Sequence, residues 1–130
     1  MGGALGKGNI TPAAEFNIYF DPNACEEVLR LKGSIPFVMI PLEVTHQNLA
    51  KQDVFDHFNK KEHIPFAKAC HNMLQQYQIM YFNAYKMEYP PIHDPCTIYY
   101  ILHPDEFETK KVKIDIDTYP ASYGRTNIWF

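Results

Sequence analysis

The chain has 130 residues, nine Phe and nine Tyr among them. That length suits one domain burying about two-thirds of its unfolded surface, and the aromatic content argues against disorder. A net charge of −3 gives no basic footprint for DNA or RNA, and the pairs Lys60-Lys61 and Lys110-Lys111 are too short to supply one.

The first nine residues hold four of the six glycines, Gly2, Gly3, Gly6 and Gly8, and read as a loop that exposes its backbone. No Gly-Lys-Ser/Thr follows, so this is not a phosphate loop. Thr11 is placed to cap a short helical turn with Pro12 at its first position. Asp21-Pro22 opens a helix through about Lys32, with Ala24, Val28 and Leu31 on its apolar face and Gly33 as its stop. Ile35 to Leu42 is dense in Ile, Phe, Val and Met, which predicts a strand buried on both faces, with Pro36 and Pro41 near its ends. Thr45 or Asn48 then caps a short helix to about Phe58.

After Pro65 a long helix is predicted, because Phe66, Cys70, Met73, Tyr77, Met80 and Ala84 recur every three or four residues. Pro90 and Pro91 follow it. Asp94, before Pro95 and an apolar run from Thr97 to Leu102, is the expected cap of another helix. From Val112 to Asp117 apolar and charged residues alternate, as in a half-exposed strand, and residues 125–130 offer a second strand. Trp129 and Phe130 close the sequence on an apolar pair, which suggests truncation or packing against a partner. There are no repeats and no low-complexity tract. Cys25, Cys70 and Cys96 are odd in number and widely spaced, which suggests free thiols in a reducing compartment. Without an apolar run near 18 residues or a signal-peptide pattern, a soluble, cytoplasmic chain without a membrane span is expected.

Two polar clusters carry possible chemistry. Asn9, Glu15 and Asn17 can hydrogen-bond a polyhydroxyl ligand, although the same residue types also cap turns. His93 and Asp94 place a titratable ring beside a hard oxygen ligand. A helix-capping Asp94 would stay ionised, and His93 could give a proton to a departing nitrogen base. A lone histidine is more often structural than catalytic.

The segment Asn-Ile-Thr-Pro-Ala-Ala-Glu-Phe-Asn at 9–17, preceded by Met1-Gly2-Gly3, resembles the ribose-binding motif of the inosine–uridine-preferring nucleoside hydrolases. Pro41-Leu42-Glu43-Val44-Thr45-His46 is similar to that family's Pro-Leu-Asp-Val-Thr, with Glu43 for the usual Asp. Pro90-Pro91-Ile92-His93-Asp94-Pro95 resembles its loop of catalytic histidine and calcium ligand. The matches stand in family order within residues 1–105.

The resemblance implies a calcium-dependent N-ribohydrolase that cleaves purine or pyrimidine nucleosides to base and ribose. By position, Asn9, Glu15 and Asn17 would hold the ribose hydroxyls, and Met1 and Phe16 would line the sugar pocket. His93 would be catalytic and Asp94 a calcium ligand. The family's Asp-Thr-Asp-Pro-Gly-x-Asp-Asp motif, which brings most calcium carboxylates, is not in this sequence, and Met1 falls at an internal position of the family pattern. The expectation is therefore a likeness to the C-terminal portion only, with residues 1–130 forming one partial domain. Its fold would be α/β, a partial, open, mostly parallel sheet flanked by helices. The exposed sheet edge would be covered by another protein chain or by a second copy. Such a chain would be inactive alone and would hold calcium poorly. The alternative is a non-catalytic structural or assembly subunit derived from the family.

Overall fold

Residues 1–31 and 35–129 are described by the computed structural model. They form six α-helices and one two-stranded antiparallel sheet, arranged in two compact units. The expected mostly parallel sheet is therefore corrected to a mainly helical chain with a short hairpin. No helix among these residues is long and apolar enough to cross a membrane.

The first unit takes residues 1–45 and 93–130. Helix α1 (Phe16–Phe20) starts at Glu15, whose carboxylate accepts from the Asn17 and Ile18 N–H groups. Thr11 caps only a turn: its hydroxyl accepts from the Ala13 and Ala14 N–H groups at 3.2 and 2.9 Å, and no helix forms there. Helix α2 (Pro22–Arg30) is capped by Asp21, as the Asp-Pro signal predicts.

The buried side of α2 is Pro22 and Leu29, with Cys25 half-buried, whereas Ala24, Val28 and Leu31 of the expected stripe are exposed. Lys32 and Gly33, the expected end and stop of this helix, lie outside the described residues, as does Phe130. Leu29 packs with Ile18, Ile114 and Ile116, and Cys25, Met39, Val112 and Ile128 surround that core. The Glu26 carboxylate ties α2 to the sheet by accepting from Ile116 N–H at 3.2 Å.

The run expected to be a doubly buried strand is an extended segment with Ile35, Phe37 and Val38 exposed and Ile40 and Leu42 buried. Pro36 and Pro41 have no N–H to give a ladder. The segment bonds the glycine loop instead: Gly2 N–H donates to Ile40 O at 3.2 Å, and Leu42 N–H donates to Gly3 O at 3.0 Å. A single turn of helix, α3 (Leu42–Thr45), follows.

The hairpin pairs β1 (Lys113–Ile116) with β2 (Thr126–Trp129), with Ile114 opposite Ile128. Alternation marked this strand correctly, and Ile114 and Ile116 are buried. Gly124 has φ +78°, and a Cβ there would stand 2.8 Å from Tyr19 Cα, so the turn beside α1 requires glycine.

Asp117 organises the hairpin turn by accepting from the Ser122 hydroxyl and from Tyr119 N–H. The Ser122 bond first, then the Tyr119 N–H and Arg125, hold its carboxyl below the ordinary range against a smaller opposing effect of burial. A depressed value means the turn's contribution is complete above the unfolded aspartate value, about 3.9. It is lost as pH falls through the folded one. An acid titration of the Tyr119 amide by NMR should accordingly show a midpoint below about 3.9, absent in Asp117→Asn; a midpoint at or above it contradicts this arrangement.

The second unit takes residues 46–92. Helix α4 (Gln52–Asn59) begins at Lys51 with no side-chain cap, so neither Thr45 nor Asn48 starts it. It packs along α5 (Pro65–Tyr85), the long helix that apolar spacing predicts. The buried positions there are Phe55, Ala67 and His71, and His71 Nδ1 lies 3.2 Å from Glu62 Oε1. Of the expected stripe, Phe66, Met73 and Met80 are exposed. The chain returns through buried Pro90 and Pro91, where Ala50 N–H donates to Pro90 O at 2.9 Å and Ile92 N–H to Asn48 O at 2.8 Å.

Candidate active site

The candidate site residues Met1, Asn9, Glu15, Phe16, Asn17, His93 and Asp94 all fall in the first unit. Glu15 is the centre of the sugar-side cluster, with only 2% of its surface exposed. Its Oε2 accepts from Gly3 N–H at 3.0 Å and Ile18 N–H at 3.4 Å, and its Oε1 accepts from Asn17 N–H at 2.9 Å. A carboxylate has about four lone-pair sites, so these donors occupy most of its capacity. Three backbone amides compensate its burial, as a buried charge requires.

Asn9 Oδ1 accepts from Phe16 N–H at 2.8 Å, and Asn17 Nδ2 donates to Met1 O at 3.3 Å, with Met1 Sδ equally near. Hydrogen bonds thus join Asn9 to Phe16, and Met1 and Glu15 to Asn17, and the continuous chain from 15 to 17 brings the two groups together. Asn9, Phe16 and Asn17 are exposed, and Glu15 is buried. Gly8 lets the loop close against residue 14, whose carbonyl receives Asn9 N–H at 3.1 Å. The Glu43 carboxylate pins the same loop further along, accepting from Leu5 and Gly6 N–H at 3.0 and 2.9 Å.

His93, half-buried, is held by Thr45, whose Oγ1 lies 2.8 Å from His93 Nδ1 and 3.3 Å from Leu42 O. A hydrogen-bonded path therefore runs from Glu15 through Gly3 and Leu42 to Thr45 and His93. It links the three sequence motifs. The reading by residue type missed Thr45 as part of the site, taking it only as a helix cap, although it stands within the Pro-Leu-Glu-Val-Thr segment.

Asp94 sits at the start of α6 (Pro95–Leu102), but its side chain makes no capping bond. The main-chain carbonyl does that work, accepting from Thr97 N–H and from the Thr97 hydroxyl at 2.9 and 2.7 Å. The Asp94 carboxylate is exposed, so the expected capping environment is not what surrounds it.

Calcium takes six to eight oxygen ligands. Among the described residues no group of three or more His, Cys, Asp or Glu is placed to hold a metal ion. The Glu15 and Glu43 carboxylates already accept backbone N–H groups. One exposed aspartate does not fit the ion. At Cys25 burial first, then the Glu26 and Glu15 carboxylates, push the thiol above its ordinary value, which disfavours the thiolate.

A family model described as inosine-uridine preferring nucleoside hydrolase matches residues 1–129. The chain belongs to this nucleoside hydrolase family. The match extends along the whole chain, which corrects the expectation of a likeness confined to a C-terminal portion.

Its family relatives include a probable ribonucleoside hydrolase of Dictyostelium discoideum, 31% identical over 123 residues, covering 91% of this chain and 36% of the relative. The pyrimidine-specific ribonucleoside hydrolase RihA of Shewanella woodyi is 39% identical over 120 residues, covering 91% of this chain and 37% of the relative. Among solved structures, the purine-preferring ribonucleoside hydrolase from Gardnerella vaginalis superposes with a TM-score of 0.86 at 27% identity. That superposition covers 97% of this chain and 40% of the enzyme. The chain thus spans little more than a third of the length of these curated family members.

Proposed function

We propose that the chain serves the hydrolysis of the N-glycosidic bond of ribonucleosides, supplying the sugar-side surface and the proton donor to the leaving base. The observation that carries this reading is the hydrogen-bonded path joining the 1–17 loop to His93, in a chain that belongs to the family. Asn9 and Asn17 present amides to ribose hydroxyls, with Met1 and Phe16 against the sugar and Glu15 fixing the loop from below. Glu15 itself keeps capacity for at most about one further donor.

As the bond to the base lengthens, negative charge collects on the base nitrogen and positive charge on the sugar. Proton transfer from His93 relieves the first, a contribution on the order of 10²- to 10⁴-fold. Asp94 is assigned to the family's metal position, and calcium retention needs carboxylates beyond those described. The chain alone is therefore inactive, and turnover requires acidic groups from a partner chain.

A second reading, a non-catalytic assembly subunit, draws on the exposed Phe66, Met73 and Met80 of α5, which offer apolar surface to another protein. Inosine and uridine hydrolysis by the purified chain, with calcium and beside His93→Ala, tests the proposal. No His93-dependent turnover is expected from the chain alone, and clear turnover contradicts its inactivity. If acidic partner chains restore no turnover, the assembly reading replaces the catalytic one.

A further inference from the structure

Helix α5 packs along α4 with Ala67 and His71 buried, and its adjoining face carries a second apolar stripe. Phe66, Met73 and Met80 stand seven residues apart, and so do Cys70, Tyr77 and Ala84. Interleaved at spacings of four and three, they occupy the a and d positions of a coiled-coil seam. Phe66, Met73 and Met80 are 76%, 64% and 53% exposed, Ala84 is exposed, and Cys70 and Tyr77 are half-buried. Of Asp, Glu, Lys and Arg, the helix holds only Lys68, two positions from Phe66 and so off the seam.

A seam of this kind takes another helix with the same repeat, and α5 itself has that repeat. Turned end for end about its middle, the stripe falls on itself. Phe66 then meets the second copy's Ala84, Cys70 meets its Met80, and Met73 meets its Tyr77. The bulkiest side chains are set against the smallest. A parallel pair would instead stack Phe66 on Phe66 and face Ala84 with Ala84, crowded at one end and hollow at the other, against close packing. With no charge on the stripe, two copies meet without like-charge repulsion, and a charged partner would find no counter-charge there. A large side chain offers about 150–250 Å², so Phe66, Met73 and Met80 expose roughly 400 Å² per copy. Two copies, with their flanking residues along about 30 Å of helix, together exceed roughly 1,000 Å², the size a specific interface needs.

We infer that α5 is the interface of a homodimer in which two copies pair antiparallel through the stripe from Phe66 to Ala84. A two-fold interface uses the same patch on both sides, and this stripe is complementary to its own reversal. The inference rests on the assembly reading in taking this surface as an interface, and it names the occupant. It stands apart from the catalytic reading, whose residues lie in the other unit.

Sedimentation of the full chain over a rising concentration series is expected to show a reversible dimer. Met73→Glu sets two carboxylates beside the two-fold axis and is expected to weaken dimerisation about tenfold or more. Its helical circular dichroism should be unchanged, because residue 73 is exposed. Should that variant lose helix, Phe66→Lys, at a still more exposed position, replaces it. Orientation is read from Met80→Cys with a short thiol-to-thiol cross-linker. Antiparallel pairing joins Cys70 of one copy to position 80 of the other, two positions that lie about 15 Å apart within one helix.

A chain that is monomeric at every concentration, or a dimer indifferent to these charges, overturns the inference. A link from Cys70 to Cys70 with none to position 80 overturns the antiparallel pairing. The assembly reading itself is decided separately, by the hydrolysis assay with acidic partner chains.

Discussion

Glu15→Ala is expected to destabilise the chain by about 3 kcal/mol or more. The carboxylate is 2% exposed and accepts from Gly3, Asn17 and Ile18 N–H. Alanine removes both acceptor oxygens at once and leaves three backbone donors without them, two of them in buried hydrogen bonds. Hydrogen bonds to a charged group contribute about 1.5–3 kcal/mol each, and orphaning buried donors adds their desolvation.

Glu15→Gln separates charge from shape. It keeps one oxygen, but turns an NH₂ group toward backbone N–H donors, so an intermediate loss is expected. Urea unfolding of the three proteins gives the order wild type, glutamine, alanine in falling stability. An alanine variant within about 0.5 kcal/mol of wild type would mean that Glu15 is not the structural clamp described.

Gly8→Ala has the second large effect, for steric reasons. A Cβ at residue 8 would lie 2.0 Å from Ala14 O and 2.4 Å from Ala14 C, and no rotamer change relieves a clash with backbone. The loop must open, which breaks the bond from Gly8 N–H to Pro12 O and loosens the Asn9, Ile10 and Thr11 N–H groups gathered on Ala14 O. A loss of about 2–4 kcal/mol is expected, together with a displaced Phe16 amide resonance as its Asn9 acceptor moves. Gly6→Ala is the control, because its Cβ would meet only Glu43 Oε1 at 3.6 Å, an ordinary contact. Equal stability changes at positions 6 and 8 would contradict the close approach.

These two residues show what was legible in the sequence. The motif at 9–17 identified the segment, yet residue type suggested Glu15 as a ligand. In the fold most of its acceptor capacity goes to the backbone. Local signals were read well where they act locally: Asp21-Pro22 starts α2, Pro65 and Pro95 start α5 and α6, and alternation marks β1.

Apolar density misled at 35–42, because it reports composition rather than burial. Phe37 and Val38 are exposed, and two prolines deny the segment a ladder. The stripe on α5 failed for the same reason, with Ala67 and His71 buried in place of Phe66 and Met73. The Thr45–His93 contact had no local signal at all. Only the fold brings residues 48 apart in sequence to 2.8 Å.

In the proposed reading the proton donor and the sugar-side surface lie on this chain, and the metal carboxylates lie elsewhere. Nucleoside hydrolysis by the purified protein with calcium, run beside His93→Ala, tests that division most directly. No His93-dependent release of base from inosine or uridine is expected from the chain alone. Turnover by the chain alone that His93→Ala abolishes would contradict it.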